Sequence, residues 1–253
     1  MKEDTGLRRV VVAIVAVIVV LFGSFGSAFA LPSFFDDFSS GTLDNWEVFS
    51  GEWSVVDGEL SQGVLDNSYL RGQIAVKDLS IQDFIIEAKV KFVELYPSGW
   101  AYVGFAVRHT DADSFYWIVL KQTADEFGQP NSNLKLELRA KFNYLVVVDL
   151  GFVGQLNTFY NLKAEVNGNN FKIYVNDKLK IQHNDDTFGG SGKILMWTGR
   201  CRARFDDVLV INPIENVVPE PGPVVIFSIF VVAVVAYMKV FRCKESQVKS
   251  NLV

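Results

Sequence analysis

Reactive side chains are scarce in this chain. Its 253 residues include two cysteines and two histidines. Cys201 and Cys243 fall in separate segments under the organisation set out below, so the fold has to stand on its core without a disulfide. Cys201 has basic neighbours in Arg200 and Arg202 but no recognisable base partner, and it reads as a packed or idle thiol. His109 and His183 stand at loop edges, in no spacing that suggests zinc or a catalytic triad. A phosphate-binding loop is absent as well, because Gly189-Gly190-Ser191-Gly192 leads into a strand pattern rather than a helix. Positive charge is thin through the middle. Residues 31–218 hold 17 Lys+Arg against 25 Asp+Glu, a balance of −8. That excludes the basic footprint needed for duplex nucleic acid and argues against docking on anionic lipid. Residues 34–212 carry no helix signature, internal repeat or low-complexity tract.

Apolar residues are abundant instead. They make up 49% of the chain, with 21% charged, and the mean hydropathy is +0.20. The excess sits at the two ends. Lys2, Arg8 and Arg9 precede the apolar run 10–22, and Ala28-Phe29-Ala30 forms a small-residue cleavage site, so residues 1–30 read as a secretory signal peptide. Residues 214–223 form a Pro-rich linker, too rich in proline for a helix or a central strand. The apolar segment 224–241 follows and is long enough for a membrane-spanning helix. Lys239, Arg242, Lys244 and Lys249 at its end place the tail 242–253 in the cytoplasm. Juxtamembrane Cys243 reads as a reduced bystander thiol. Pro219-Glu220-Pro221, an apolar span and then basic residues resemble the PEP-CTERM sorting signal of prokaryotic envelope proteins. The basic residues here are scattered and the tail runs on past them. The expected product is secreted, anchored through one C-terminal helix, and outside the membrane from 31 to 213.

That middle segment reads as one all-β domain. Strand patterns recur over residues 52–57, 59–62, 84–92, 101–108, 115–121, 134–139, 160–166, 171–175, 193–197 and 203–211. Asp57-Gly58 and Asn167-Gly168 are hairpin signals, and Asn176-Asp177 marks another turn. Residues 84–92 alternate cleanly, with Phe84, Ile86, Ala88, Val90 and Phe92 on one face. About a dozen strands in a unit of this size predict a two-sheet sandwich.

Several stretches resemble concanavalin A-like jelly-roll domains. They are Phe35-Asp36-Asp37-Phe38, Gly51-Glu52-Trp53, Val56-Asp57-Gly58-Glu59-Leu60, the strand 103–108 followed by an Asp-rich turn and Phe115-Tyr116-Trp117, and Phe205-Asp206-Asp207-Val208. The laminin G-like and 3-keto-disaccharide hydrolase-like groups are the most similar. The resemblance implies a jelly-roll β-sandwich; it leaves lectin, hydrolase and adhesion roles open. Laminarinase-type members carry Glu-x-Asp-x-x-Glu on one strand, whereas residues 136–139 here hold a single Glu.

Strand alternation then sorts the faces. With Ala101, Val103, Phe105 and Val107 inward, Tyr102 and Arg108 face out. With Tyr116, Ile118 and Leu120 inward, Trp117 and Lys121 face out; with the leucines of 134–138 inward, Glu137 and Arg139 do. If the three strands are neighbours, rings flanked by charged hydrogen-bonding groups form a sugar site, the alternative being a solvated face with Trp117 covered. Asp36 and Asp37 near the start and Asp206 and Asp207 near the end form a second group. Should first and last strands pair, Asp37 and Asp207 suit a structural Ca²⁺ as hard oxygen ligands, the alternative being solvated strand ends. The expected function is a membrane-anchored, lectin-like domain that binds an extracellular polysaccharide or glycan without catalysis. The alternatives are a glycoside hydrolase using Glu137 with Arg108, and a structural envelope domain.

Overall fold

The computed structural model describes residues 32–69 and 72–213. Residues 1–30 and 214–253, which hold the expected signal peptide, linker, span and tail, lie outside the described residues. Among those described, no helix is long and apolar enough to cross a membrane.

Fifteen strands build two antiparallel sheets. They are β1 (Pro32–Asp36), β2 (Trp46–Ser50), β3 (Trp53–Val56), β4 (Glu59–Gln62), β5 (Gly72–Val76), β6 (Phe84–Leu95), β7 (Gly99–Asp111), β8 (Ser114–Ala124), β9 (Asn133–Ala140), β10 (Asn143–Val153), β11 (Tyr160–Asn167), β12 (Asn170–Val175), β13 (Lys178–Asn184), β14 (Lys193–Gly199) and β15 (Cys201–Ile211). One sheet runs β13-β12-β11-β6-β15-β4-β3, with β1 also paired to β15. The other runs β10-β9-β8-β7-β14-β5-β2. Expected turns close the hairpins. Asp57 and Gly58 both have positive φ (56° and 76°) between β3 and β4, as do Asn176 and Asp177 (48° and 62°) between β12 and β13. This is the twist that two-residue hairpins require.

The core lies between the sheets. Phe84, Ile86, Ala88, Val90 and Phe92 of β6 meet Ala101, Val103, Phe105 and Val107 of β7, together with Tyr116, Ile118, Leu120 and the leucines of β9, in one buried cluster. Both faces of the central strands are apolar, but they bury differently. A second cluster holds Tyr102, Ala106, Phe115, Trp117, Val119, Leu195 and Trp197 on the far side of the seven-stranded sheet. Among the described residues no third layer covers this face; its own rings shield one another. Trp117 and Trp197 meet edge-on at 4.8 Å, and Phe115 stacks on Trp197 at 5.3 Å.

Three buried acids should make the fold sensitive to alkali. Burial pushes the Cys201 thiol up to about 12. Burial, helped by its bond to Asp185, lifts the Tyr116 hydroxyl up to about 12. Burial raises Tyr102 further still, with Arg139 opposing. Unfolded cysteine ionises near about 8.5 and tyrosine near about 10. Above those values the unfolded chain binds fewer protons than the folded one, so stability falls as pH rises, by up to about 1.4 kcal/mol per pH unit for each group. Melting temperature is therefore expected to drop from about pH 9 upward. In Cys201→Ala the onset should move toward about pH 10. An onset unchanged by that substitution would remove the thiol as its cause.

Candidate functional site

The register of the seven-stranded sheet lines up its outward side chains. Leu195, Ala106, Trp117, Arg139 and Tyr144 stand opposite one another across β14, β7, β8, β9 and β10. Gly199, Tyr102, Lys121 and Lys135 form a parallel row, and Val119 and Glu137 pair between the two rows. Five of the six residues expected on this face are thus brought together: Tyr102, Trp117, Lys121, Glu137 and Arg139.

Arg108 is the exception. A bulge shifts the β7 register here, and Arg108 takes a left-handed φ of 51°. Strict alternation fails at that residue, and the side chain turns away to the end of the other sheet. Its guanidinium donates to the carbonyls of Gln82, Phe188 and Gly168 and lies 3.5 Å from Asp83. Arg108 therefore ties the sheets together at one end, and its pairing with Glu137 in a catalytic set does not form.

A charged network sits under the face. Glu137 is fully buried and accepts from Arg139 Nε at 2.9 Å and from Nη2 of the same side chain. Its Oε1 has no hydrogen-bond donor but faces Lys121 Nζ at 3.4 Å, an ion pair rather than a hydrogen bond. Arg139 Nη2 also donates to the Tyr102 hydroxyl at 3.0 Å. Burial works against the Arg139 charge, yet Glu137 and Tyr102 hold its pKa above the usual arginine value. The guanidinium lies 4.1 Å from the Tyr144 ring centroid and 5.5 Å from that of Trp117, while Lys121 Nζ lies 5.1 Å from the ring of Trp100. Each of these rings thus has one of the protein's own cations packed against it.

Above the network is an open depression of about 300 Å³, lined by Tyr69, Trp100, Tyr102, Trp117, Arg139, Phe142 and Tyr144. Trp117 forms its floor at 1% exposure, so it is not the exposed platform that its outward position suggested. Its Nε1 finds no acceptor among the described residues. The exposed rings belong to Trp100 (43%), Tyr144 (55%) and Phe142. Strand alternation finds Trp100 once β7 is read back to Gly99, since it shares the parity of Tyr102. Tyr69 comes from a loop and stacks on Trp100 at 6.0 Å. Gly199 makes that approach possible, because a Cβ there would lie 2.6 Å from the Tyr69 carbonyl oxygen. Trp197 Nε1 then donates to that carbonyl at 3.1 Å.

The other expected groups are accounted for differently. First and last strands do pair, with Asp36 opposite Val208, which brings the aspartates to one end of the ladder. Each has at least one oxygen engaged by a protein donor. Asp36 accepts from Phe38 N and Trp46 Nε1, and Asp37 from the Ser39 amide and hydroxyl. Lys89 Nζ pairs with Asp207 and lies 3.8 Å from Asp206, occupying the position a cation would need. No group of three or more His, Cys, Asp or Glu gathers for a metal among the described residues. His109 stacks on Phe115 at 5.5 Å, and its burial lowers its pKa. Cys201 is buried and donates to the Tyr102 carbonyl at 3.2 Å, a packed thiol as expected.

No family model and no curated protein matches the chain. Solved structures do. The carbohydrate-binding module CBM66 from Bacillus subtilis is 20% identical with a TM-score of 0.51, covering 68% of this chain and 98% of its own. A beta-glucanase from Bacillus licheniformis is 17% identical with a TM-score of 0.54, covering 72% and 99%. The catalytic domain of an endo-1,3-beta-glucanase (laminarinase) from Thermotoga petrophila is 12% identical with a TM-score of 0.55, covering 73% and 98%. Likeness at this identity speaks for the fold alone, and the fold it identifies is the concanavalin A-like jelly-roll sandwich.

Proposed function

We propose that this chain holds a non-catalytic carbohydrate-binding domain outside a cell membrane, anchored by residues 224–241, and that it takes an extracellular glycan on the open face of the seven-stranded sheet. The observation that carries this reading is the depression itself, where the exposed rings of Trp100, Phe142 and Tyr144 stand over the buried Arg139-Glu137-Lys121 network. Rings of this kind stack on the apolar face of a pyranose, and fixed donors meet its oxygens. That both a carbohydrate-binding module and glucan-cleaving enzymes share the fold supports a polysaccharide partner. Hydrolysis is the second reading and rests on the glucanase neighbours. Glycoside cleavage ordinarily uses two carboxyl groups, about 5–10 Å apart depending on mechanism. The residues lining the depression include no carboxylate, and Glu137 is buried beneath them in ion pairs.

Titrating the full chain against a panel of soluble polysaccharides tests the reading. Binding is expected, with no release of reducing ends. Trp100→Ala should weaken it about tenfold or more, the loss of one stacked ring, with little change in melting temperature. Reducing-end release that Glu137→Gln abolishes would convert the reading to hydrolysis. Absence of binding to every polymer would remove both readings and favour a structural envelope role.

A further inference from the structure

Three arginines are buried among the described residues, and their charges are balanced unequally. Arg108 lies against Asp83, and Arg139 against Glu137. Arg200, 8% exposed, has no carboxylate in ion-pair range among the described residues. Its partners are neutral: Asn67 Oδ1, the Tyr69 hydroxyl at 3.2 Å, and the carbonyls of Pro97 and Ser98 at 3.4 Å each. The rings of Tyr69 and Tyr96 flank its guanidinium at 5.3 and 5.0 Å, and its Nε is buried without an acceptor. A buried cation without a counter-ion is unfavourable.

The backbone adds a second cost. Arg200 is the single residue between β14 in one sheet and β15 in the other, and it takes a left-handed φ of 56°. Glycine or asparagine adopts that conformation more readily. Gly99 also leaves room for the guanidinium, since a Cβ there would lie 2.3 Å from Arg200 Nη2. The part of Arg200 that reaches solvent opens into a depression of about 510 Å³ walled by Asn67, Tyr96, Pro97 and Ser98. Asn67 gives its oxygen to Arg200, which leaves its amide hydrogens, and the Ser98 hydroxyl, as further donors on that wall. This depression adjoins the aromatic one. Tyr69 lines the latter and accepts from Arg200 through its hydroxyl, and Trp100 directly follows Gly99.

We propose that Arg200 is an anion-recognising subsite, which reads the carboxylate of a uronic acid in a polysaccharide whose neighbouring sugar stacks on Trp100 and Tyr69. The inference rests on the glycan-binding reading above and specifies its ligand as an acidic polysaccharide. A sugar carboxylate supplies the missing counter-ion and accepts a charge-assisted hydrogen bond from Nη2, replacing its long 3.4 Å contacts with the Pro97 and Ser98 carbonyls. General charge attraction does not produce this preference, because residues 31–218 carry −8.

The test compares polygalacturonate, alginate and hyaluronan, each with its carboxyl-reduced neutral counterpart, as ligands of the full chain. For at least one of them, wild type is expected to bind the carboxylated form about tenfold tighter or more, as a charge-assisted bond implies. Arg200→Gln should bring the two forms to parity while keeping Trp100-dependent binding of the neutral form. Asn67→Asp places a carboxylate beside the guanidinium; it should abolish the preference and raise the melting temperature. This second variant decides the matter if Arg200→Gln does not fold. Equal binding of both forms by wild type, or a preference that persists in folded Arg200→Gln or Asn67→Asp, overturns the subsite and leaves glycan binding standing. No binding of any polymer overturns both.

Discussion

Arg139→Ala is expected to cost the domain about 3–5 kcal/mol of stability, the usual penalty for stranding one member of a buried ion pair. Glu137 has no exposed surface of its own. Without Arg139 it keeps only the Lys121 ammonium at 3.4 Å, and Oε2 loses both of its donors. The Tyr102 hydroxyl loses the guanidinium, and the rings of Tyr144 and Trp117 lose the cation packed against them. Replacing both partners should behave differently. In Glu137→Leu with Arg139→Met, no charge of the pair remains to be desolvated and the volume is roughly kept, so most of the loss should return. Urea unfolding of wild type, both single variants and the double variant measures the coupling directly. An Arg139→Ala variant within about 1 kcal/mol of wild type would mean that water reaches Glu137, and the site would have to be redrawn as a solvated surface.

Trp117→Ala is the second large effect, expected at about 3–5 kcal/mol, the range for truncating a buried aromatic side chain. Trp117 is the central ring of its face, touching Tyr102, Phe115, Phe142 and Trp197 at centroid distances of 4.8 to 5.9 Å. Its removal opens a cavity beneath the depression, and the rings above should settle into it. Glycan binding should then fall because the rim is displaced. Trp117→Phe should retain much of the binding and lose less stability. Trp100→Ala gives the opposite pattern, since that ring is 43% exposed: binding falls and stability holds. Loss of binding in Trp117→Ala at an unchanged melting temperature would make Trp117 the contact surface and contradict its burial.

Alternation makes much of this face legible in the sequence. Tyr102, Trp117, Lys121, Glu137 and Arg139 lie on strands whose inward partners, such as Val103, Ile118 and Leu138, are uniformly apolar, so parity assigns their face. Arg108 escaped because a bulge is a one-residue departure from the period of two, with no residue type that announces it. Five strands, β1, β2, β5, β10 and β13, were not visible as patterns. β10 shows why: it is an edge strand, largely exposed, with register shifts after Tyr144 and Asp149. An edge strand buries less, and selection for regular alternation is weaker there. Tyr144, one of the most exposed rings of the site, went unseen with it.

Patterning by itself determined the fold class, the inward faces of β6, β7, β8 and β9, and the outward set on β7, β8 and β9 apart from Arg108, because burying one side of a pleated sheet demands a period of two. Only the tertiary structure decided which outward residues are accessible and which lie beneath others. Trp117 and Trp100 share a face, yet one is floor and the other rim, because neighbouring rings from β14, the turn at Phe142 and the loop at Tyr69 cover the first and leave the second open. The same holds for charge. Arg139 has Glu137 two residues away on the same face of β9, whereas Arg108 meets Asp83 only through the fold, and Arg200 meets no carboxylate among the described residues. Burial is a sum over neighbours distant in sequence, and those neighbours are set by the fold.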